Sequence, residues 1–213
     1  MKKANYLTSE NIERKAAGWL EELPFCKRWP GDIHTGKSAL LVIDMQKYFL
    51  DPESHAYLPA TEAIIDNINY LVKLFVDKGG KVLYTTTVQD PEEKGSMLEW
   101  WSSIITEGPM TELDERIDVK GELIKKPTYS SFYRTELEEH LDDIENIFIS
   151  GVMTDICCET SCREAFIRDY RTFFIADATA TSGEEVHMSS LKSICHGLAE
   201  ILLCKNVEQR LRS

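Results

Sequence analysis

Gly151-Val152-Met153-Thr154-Asp155-Ile156-Cys157 follows an apolar run that begins at Asn146 and opens a segment, Asp155 to Tyr170, of helical character. The stretch therefore reads as a short turn from a buried strand into a helix, with a thiol at its far end. Helix N-termini leave N–H groups without intrahelical partners and carry partial positive charge, which favours thiolate over thiol and can receive an oxyanion. This is a reaction centre in outline.

Upstream, Ala39-Leu40-Leu41-Val42-Ile43 is a continuous apolar run of the kind buried on both faces of a sheet, and it closes on Asp44. Between Ala60 and Lys78, Ile64, Ile68, Leu71, Val72 and Phe75 recur at helical spacing, with Gly79-Gly80 as a C-terminal stop. Lys81 to Thr87 has strand character, Met97 to Ile105 reads as helix, Glu122 to Lys125 as a short strand and Thr135 to Leu141 as helix. Beyond the turn come a strand at Thr172 to Ala176, a helix from near Glu184, and Ala199 to Leu203 as an edge strand. Buried strands alternating with amphipathic helices predict an α/β fold with a parallel sheet covered on both faces. The ligand crevice of such sheets lies outside the carboxyl ends of the strands. Asp44, Lys126 and the turn before Cys157 all fall at such ends.

The chain has 213 residues, which suits one domain with an N-terminal extension. Residues 1–37, with an amphipathic piece from Ser9 to Leu23 and breakers at Pro24, Trp29, Pro30 and Gly31, read as an arm over the surface of a domain spanning 38–213. Thirty-six acidic against 24 basic residues leave a formal charge of -12, which repels nucleic acid and anionic membranes. No apolar run approaches a membrane span of about 18 residues, and the first residues lack a signal-peptide core, so a cytoplasmic protein is expected. The cysteines, Cys26 and then Cys157, Cys158, Cys162, Cys195 and Cys204, are expected to be reduced and packed. No pair has C-x-x-C spacing, and neither a metal nor another cofactor is expected.

A free thiol with a pKa of about 8.5 is a poor nucleophile at neutral pH. A nearby aspartate can take its proton and return it to a leaving group, and an ammonium can steady the ions. Asp44 and Lys126 fill those roles for Cys157, and the N–H groups of Met153 and Cys157 form the candidate oxyanion hole.

Leu41-Val42-Ile43-Asp44-Met45-Gln46, Lys126-Pro127-Thr128-Tyr129-Ser130-Ser131-Phe132 and Gly151 to Cys157, in this order and spacing, resemble the isochorismatase-like cysteine hydrolases over roughly residues 37 to 205. The resemblance implies a catalytic triad of Asp44, Lys126 and Cys157, a cis Val152–Met153 peptide, a three-layer Rossmann-like fold with a six-stranded parallel sheet, and a homo-oligomer. It selects Cys157, third after the turn threonine, over Cys158 as the reactive thiol. Nicotinamidases of the family hold a metal through an Asp-x-His motif; the corresponding Thr85 to Glu92 has no histidine, and Asp51 and His55 are spaced differently. Isochorismatases are resembled by the Lys94 to Trp101 spacing and by Glu185 to Lys192, but Thr87 stands where they have glutamine and Lys94 where they have arginine. The expected activity is hydrolysis of a small amide or carbamoyl C–N bond through an acyl-enzyme on Cys157. The alternatives are an isochorismatase, with Asp44 protonating a vinyl ether, and a non-catalytic binding scaffold. Tyr129, Phe132, Lys94 and Trp101 are the candidate substrate contacts, and a small molecule is the expected partner.

Overall fold

The computed structural model describes residues 3–23, 26–92 and 95–212. In chain order its elements are α1 (Ile12–Glu21), β1 (Ile33–His34), β2 (Ser38–Ile43), α2 (Lys47–Leu50), α3 (Ile65–Asp77), β3 (Lys81–Thr87), α4 (Ser96–Trp101), β4 (Glu122–Lys126) and β5 (Asn146–Val152), followed by α5 (Glu159–Ile167), β6 (Arg171–Ala180), α6 (Glu184–Gly197), β7 (Ala199–Leu202), α7 (Cys204–Arg210) and β8 (Leu211–Arg212).

Six strands form one sheet in the order β4-β3-β2-β5-β6-β7, every neighbouring pair parallel. The continuous apolar runs of β2 and β5 are buried along their whole length, as central parallel strands must be. Right-handed crossovers run one way from β2 and the opposite way from β5, which puts α3 and α5 on opposite faces of the sheet. Accordingly α3 packs with β2, β3 and α7, while α5 packs with α6 and β6. Under α3 the core is aromatic: Phe148 stacks on Phe173 at 4.4 Å and meets Phe75 edge-on at 5.1 Å. Strand order reverses between β2 and β5, so the crevice lies beyond Ile43 and Val152.

Several elements differ from the expectations. The 60–78 helix is split into a 3-10 turn, Pro59–Ala63, and α3. The expected helix from Met97 stops at Trp101, because Ser102 turns left-handed at φ 54°. Thr135 to Leu141 holds only a 3-10 turn, Leu137–His140. The segment from Asp155 begins as a π-helical turn, Thr154–Cys158, before α5 takes over.

The N-terminal arm is more than a surface cover. Tyr6, Leu7, Ile12, Ala16, Trp19 and Leu23 are buried, and β1 pairs in parallel with β8 near the C-terminus. Cys26 and Cys195 form a disulfide across 169 residues, which corrects the expectation that every cysteine is reduced. Periodicity along the chain carries no signal for a contact of that separation. Cys157, Cys158, Cys162 and Cys204 are free and buried. Among the described residues no helix is long and apolar enough to cross a membrane.

Candidate active site

Three strand ends deliver three side chains to one point. Asp44 follows β2, and its backbone at φ 54° turns the chain out of the sheet. Aspartate tolerates this left-handed conformation better than most residues, at a cost of about 1–2 kcal/mol. Lys126 closes β4. Cys157 comes from the turn after β5, where the Val152–Met153 peptide is cis, as the family resemblance implied.

Lys126 Nζ lies 2.8 Å from Asp44 Oδ2 and 3.5 Å from Cys157 Sγ, and donates to the Thr128 carbonyl at 2.8 Å. Asp44 and Lys126 are fully buried, and Cys157 is buried with 6% of the residue exposed, the most of the three. Two threonines complete the cluster. Thr85 Oγ1 donates to Asp44 Oδ1 at 3.0 Å; Thr87 Oγ1 donates to Oδ2 at 3.0 Å and accepts from Lys126 Nζ at 2.8 Å. Gln46 holds the Thr87 backbone, accepting its N–H at 2.7 Å.

The electrostatics correct one expectation. Burial pushes the Cys157 thiol up to about 12, Lys126 opposing and Asp44 adding to the rise. Desolvation outweighs the Lys126 ammonium, so the buried site favours the thiol over the thiolate. Burial alone pulls Lys126 down as well, but Asp44 and the sulfur reverse this and its pKa ends above the usual lysine value.

Of the candidate substrate contacts, Tyr129 and Trp101 meet each other, Trp101 Nε1 donating to Tyr129 Oη at 2.7 Å. Phe132 is buried beneath the Arg168 guanidinium at 4.8 Å and beside Tyr170 at 6.2 Å. Lys94 lies outside the described residues. Sequence reasoning noticed Thr87 only as a departure from glutamine and missed Thr85 and Gln46. The alternation of Thr85 and Thr87 on one face of the strand that adjoins Asp44 was the available signal.

Among the described residues, metal donors do not converge here. Asp51 Oδ1 accepts the Glu53 N–H at 2.8 Å, and His55 Nε2 pairs with Tyr48 Oη at 3.0 Å. Gln89, in the segment where an Asp-x-His motif would fall, accepts the Ile105 N–H at 3.0 Å. Among the described residues no three His, Cys, Asp or Glu side chains are grouped to hold an ion. The donor set does not fit a metal.

A buried cysteine, lysine and aspartate at the carboxyl edge of a doubly wound parallel sheet define a cysteine hydrolase of the α/β class. The chain belongs to the isochorismatase family, whose isochorismatase domain matches residues 38–204. It is 33% identical over 189 residues to nicotinamidase 3 of Arabidopsis thaliana, covering 84% of this chain and 91% of that one. It is 31% identical over 163 residues to the isochorismatase of Bacillus subtilis (strain 168), covering 73% of this chain and 52% of that one. Among solved structures, a cysteine hydrolase from Pseudomonas syringae pv. phaseolicola 1448A superposes with a TM-score of 0.81 at 26% identity, covering 87% of this chain and 96% of that one.

Proposed function

We propose that this hydrolase cleaves the C–N bond of a small carboxamide or carbamoyl compound, with Cys157 as nucleophile, Asp44 as proton carrier and Lys126 as the ion that holds them. The observation that carries this reading is the buried contact set in which Lys126 Nζ meets both Cys157 Sγ and Asp44 Oδ2. Burial disfavours the thiolate, so the thiol proton leaves as the sulfur attacks the carbonyl, with Asp44 receiving it. The N–H groups of Met153 and Cys157 receive the oxyanion, a contribution of about 3–4 kcal/mol per donor. Asp44 then protonates the departing amine, and in the second half takes a proton from the water that hydrolyses the thioester.

The proposal is supported by the retained thiol and by Thr87. Where isochorismatases have glutamine, this hydroxyl is committed to Asp44 and Lys126. Both Asp44 oxygens are engaged as acceptors, which suits a group that takes a proton from sulfur. Vinyl ether hydrolysis remains the competing chemistry because of the Bacillus subtilis relative. The same reading takes residues 38–213 as the hydrolase domain and the working form as a cytoplasmic homo-oligomer with Tyr129 and Trp101 over the pocket. The net charge of -12 supports excluding nucleic acid and anionic membranes as partners.

A panel of nicotinamide, an N-carbamoyl amino acid and isochorismate tests the reading. Cys157→Ala is expected to lower amide or carbamoyl turnover by at least about 10³-fold. Full amide turnover by that variant would overturn the mechanism. Isochorismate cleavage that survives Cys157→Ala but not Asp44→Ala would establish the vinyl ether chemistry instead.

A further inference from the structure

The turn that carries Cys157 is held from outside by a chain of contacts that ends in the N-terminal arm. Thr154, the second residue of the turn after the cis peptide, meets His187 of α6, its Oγ1 lying 2.9 Å from Nδ1. Ser190, one helical turn further, donates to Glu159 at 2.6 Å with its Oγ 3.3 Å from the Thr154 carbonyl. Asp155 is tied to Thr181 at 2.5 Å.

His187 is fully buried, and among the described residues its other ring nitrogen, Nε2, has no hydrogen-bond partner. Two aromatic rings of the arm pack against the imidazole: Trp19 at 4.5 Å between ring centroids and Tyr6 at 6.0 Å. The arm then grips α6 along its length. Trp19 Nε1 donates to Glu184 at 2.9 Å, Lys15 pairs with the same carboxylate, Glu22 pairs with Lys192 at 2.9 Å, and Cys26 is bonded to Cys195. Tyr6 Oη accepts the Thr181 N–H at 3.3 Å, which adds a second route to Asp155. These arm residues precede the segment, 38–204, that matches the family.

Leaving a buried ring nitrogen unpaired costs about 1–3 kcal/mol. An apolar ring would pack against Trp19 and Tyr6 without that cost, and among the described residues the imidazole's hydrogen bond is to Thr154. We propose that His187 is a positioning residue for the catalytic turn, wedged by Trp19 of the N-terminal arm so that Thr154 holds the Met153 and Cys157 N–H groups on the reacting carbonyl. The arm is then part of the enzyme's machinery. A displacement of about 1 Å at such a turn can cost about 10²-fold in rate. This inference rests on Cys157 being the nucleophile.

The test uses p-nitrophenyl acetate as an acyl donor, measuring p-nitrophenolate release by the full chain with Cys157→Ala as background. His187→Phe keeps the ring and loses the contact to Thr154; it is expected to lower kcat about 30-fold with KM within twofold and Tm not reduced. His187→Asn, whose amide reaches the position of Nδ1, is expected to restore kcat to within about threefold. Trp19→Leu, remote from the substrate, is expected to lower kcat about fivefold and carries the test should His187→Phe not fold. Unchanged kcat in His187→Phe or in Trp19→Leu, against a Cys157→Ala background near zero, overturns the proposal and leaves the nucleophile intact. Release by the wild type no faster than by Cys157→Ala overturns the nucleophile instead.

Discussion

Asp44, Lys126 and Thr87 form a triangle in which each member touches the other two, at 2.8, 2.8 and 3.0 Å. A buried ion pair gains little over an apolar replacement unless its remaining donors and acceptors are satisfied. Here the Thr87 hydroxyl serves both ions, and Thr85 and the Thr128 carbonyl take the rest. Thr87→Val keeps the volume and removes the shared hydroxyl. It is expected to cost about 1–3 kcal/mol of stability in urea unfolding and to lower kcat about 10- to 100-fold, with Thr87→Ser recovering most of both. Equal kcat in the valine variant would show that the hydroxyl does not align the ions. Asp44, Lys126 and Cys157 were legible in the sequence because Asp44 and Lys126 lie at the ends of strands and Cys157 in the turn that follows one. The threonines were less so, since a threonine on a β-strand is ordinary.

At the level of elements, the site depends on β5 passing close behind the end of β2. Gly151 faces Ile43 in the register, at φ 107°, and a Cβ there would lie 2.0 Å from the Ile43 carbonyl oxygen. Backbone cannot yield by that much without moving Asp44, the next residue. Gly151→Ala is therefore expected to destabilise the fold by more than about 3 kcal/mol, or to leave it insoluble, as read by thermal melting and soluble yield. A wild-type melting curve would contradict the close approach. The central strands and α3 were readable because long apolar runs and repeated 3.6-residue spacing leave one solution. Thr135 to Leu141 was misleading for a physical reason: its two buried residues, Leu137 and Leu141, are four apart, and a single 3-10 turn suffices to bury both. In α4 no residue is buried, so packing does not extend the helix past Ser102.

For the molecule as a whole, His187 links the arm to the stability of the fold. Burial lowers its pKa from 6.5 to about 3, with Glu184 opposing. Tyr6, the other titratable group against the ring, is held neutral by burial. Below pH 6.5 the unfolded chain takes up a proton that the folded chain refuses, so stability falls as pH drops. The loss approaches about 1.4 kcal/mol per pH unit until pH nears 3, and the term is absent above pH 6.5. Chemical unfolding at pH 7, 6, 5 and 4 should show His187→Phe losing less stability than the wild type over that range. Parallel curves would contradict a neutral buried imidazole. The arm's place was not legible because its contacts, Trp19 to Glu184 and Cys26 to Cys195, join residues more than 160 positions apart.

The nucleophile itself is tested most directly by quenching the wild-type protein in acid during turnover of the panel amide it hydrolyses fastest, then mapping its peptides by mass. The mass of the substrate's acyl group is expected on the peptide holding Cys157, located on that sulfur rather than on Cys158, and absent from Cys157→Ala. Steady hydrolysis with Cys157 unmodified and the label on Cys158 would contradict it.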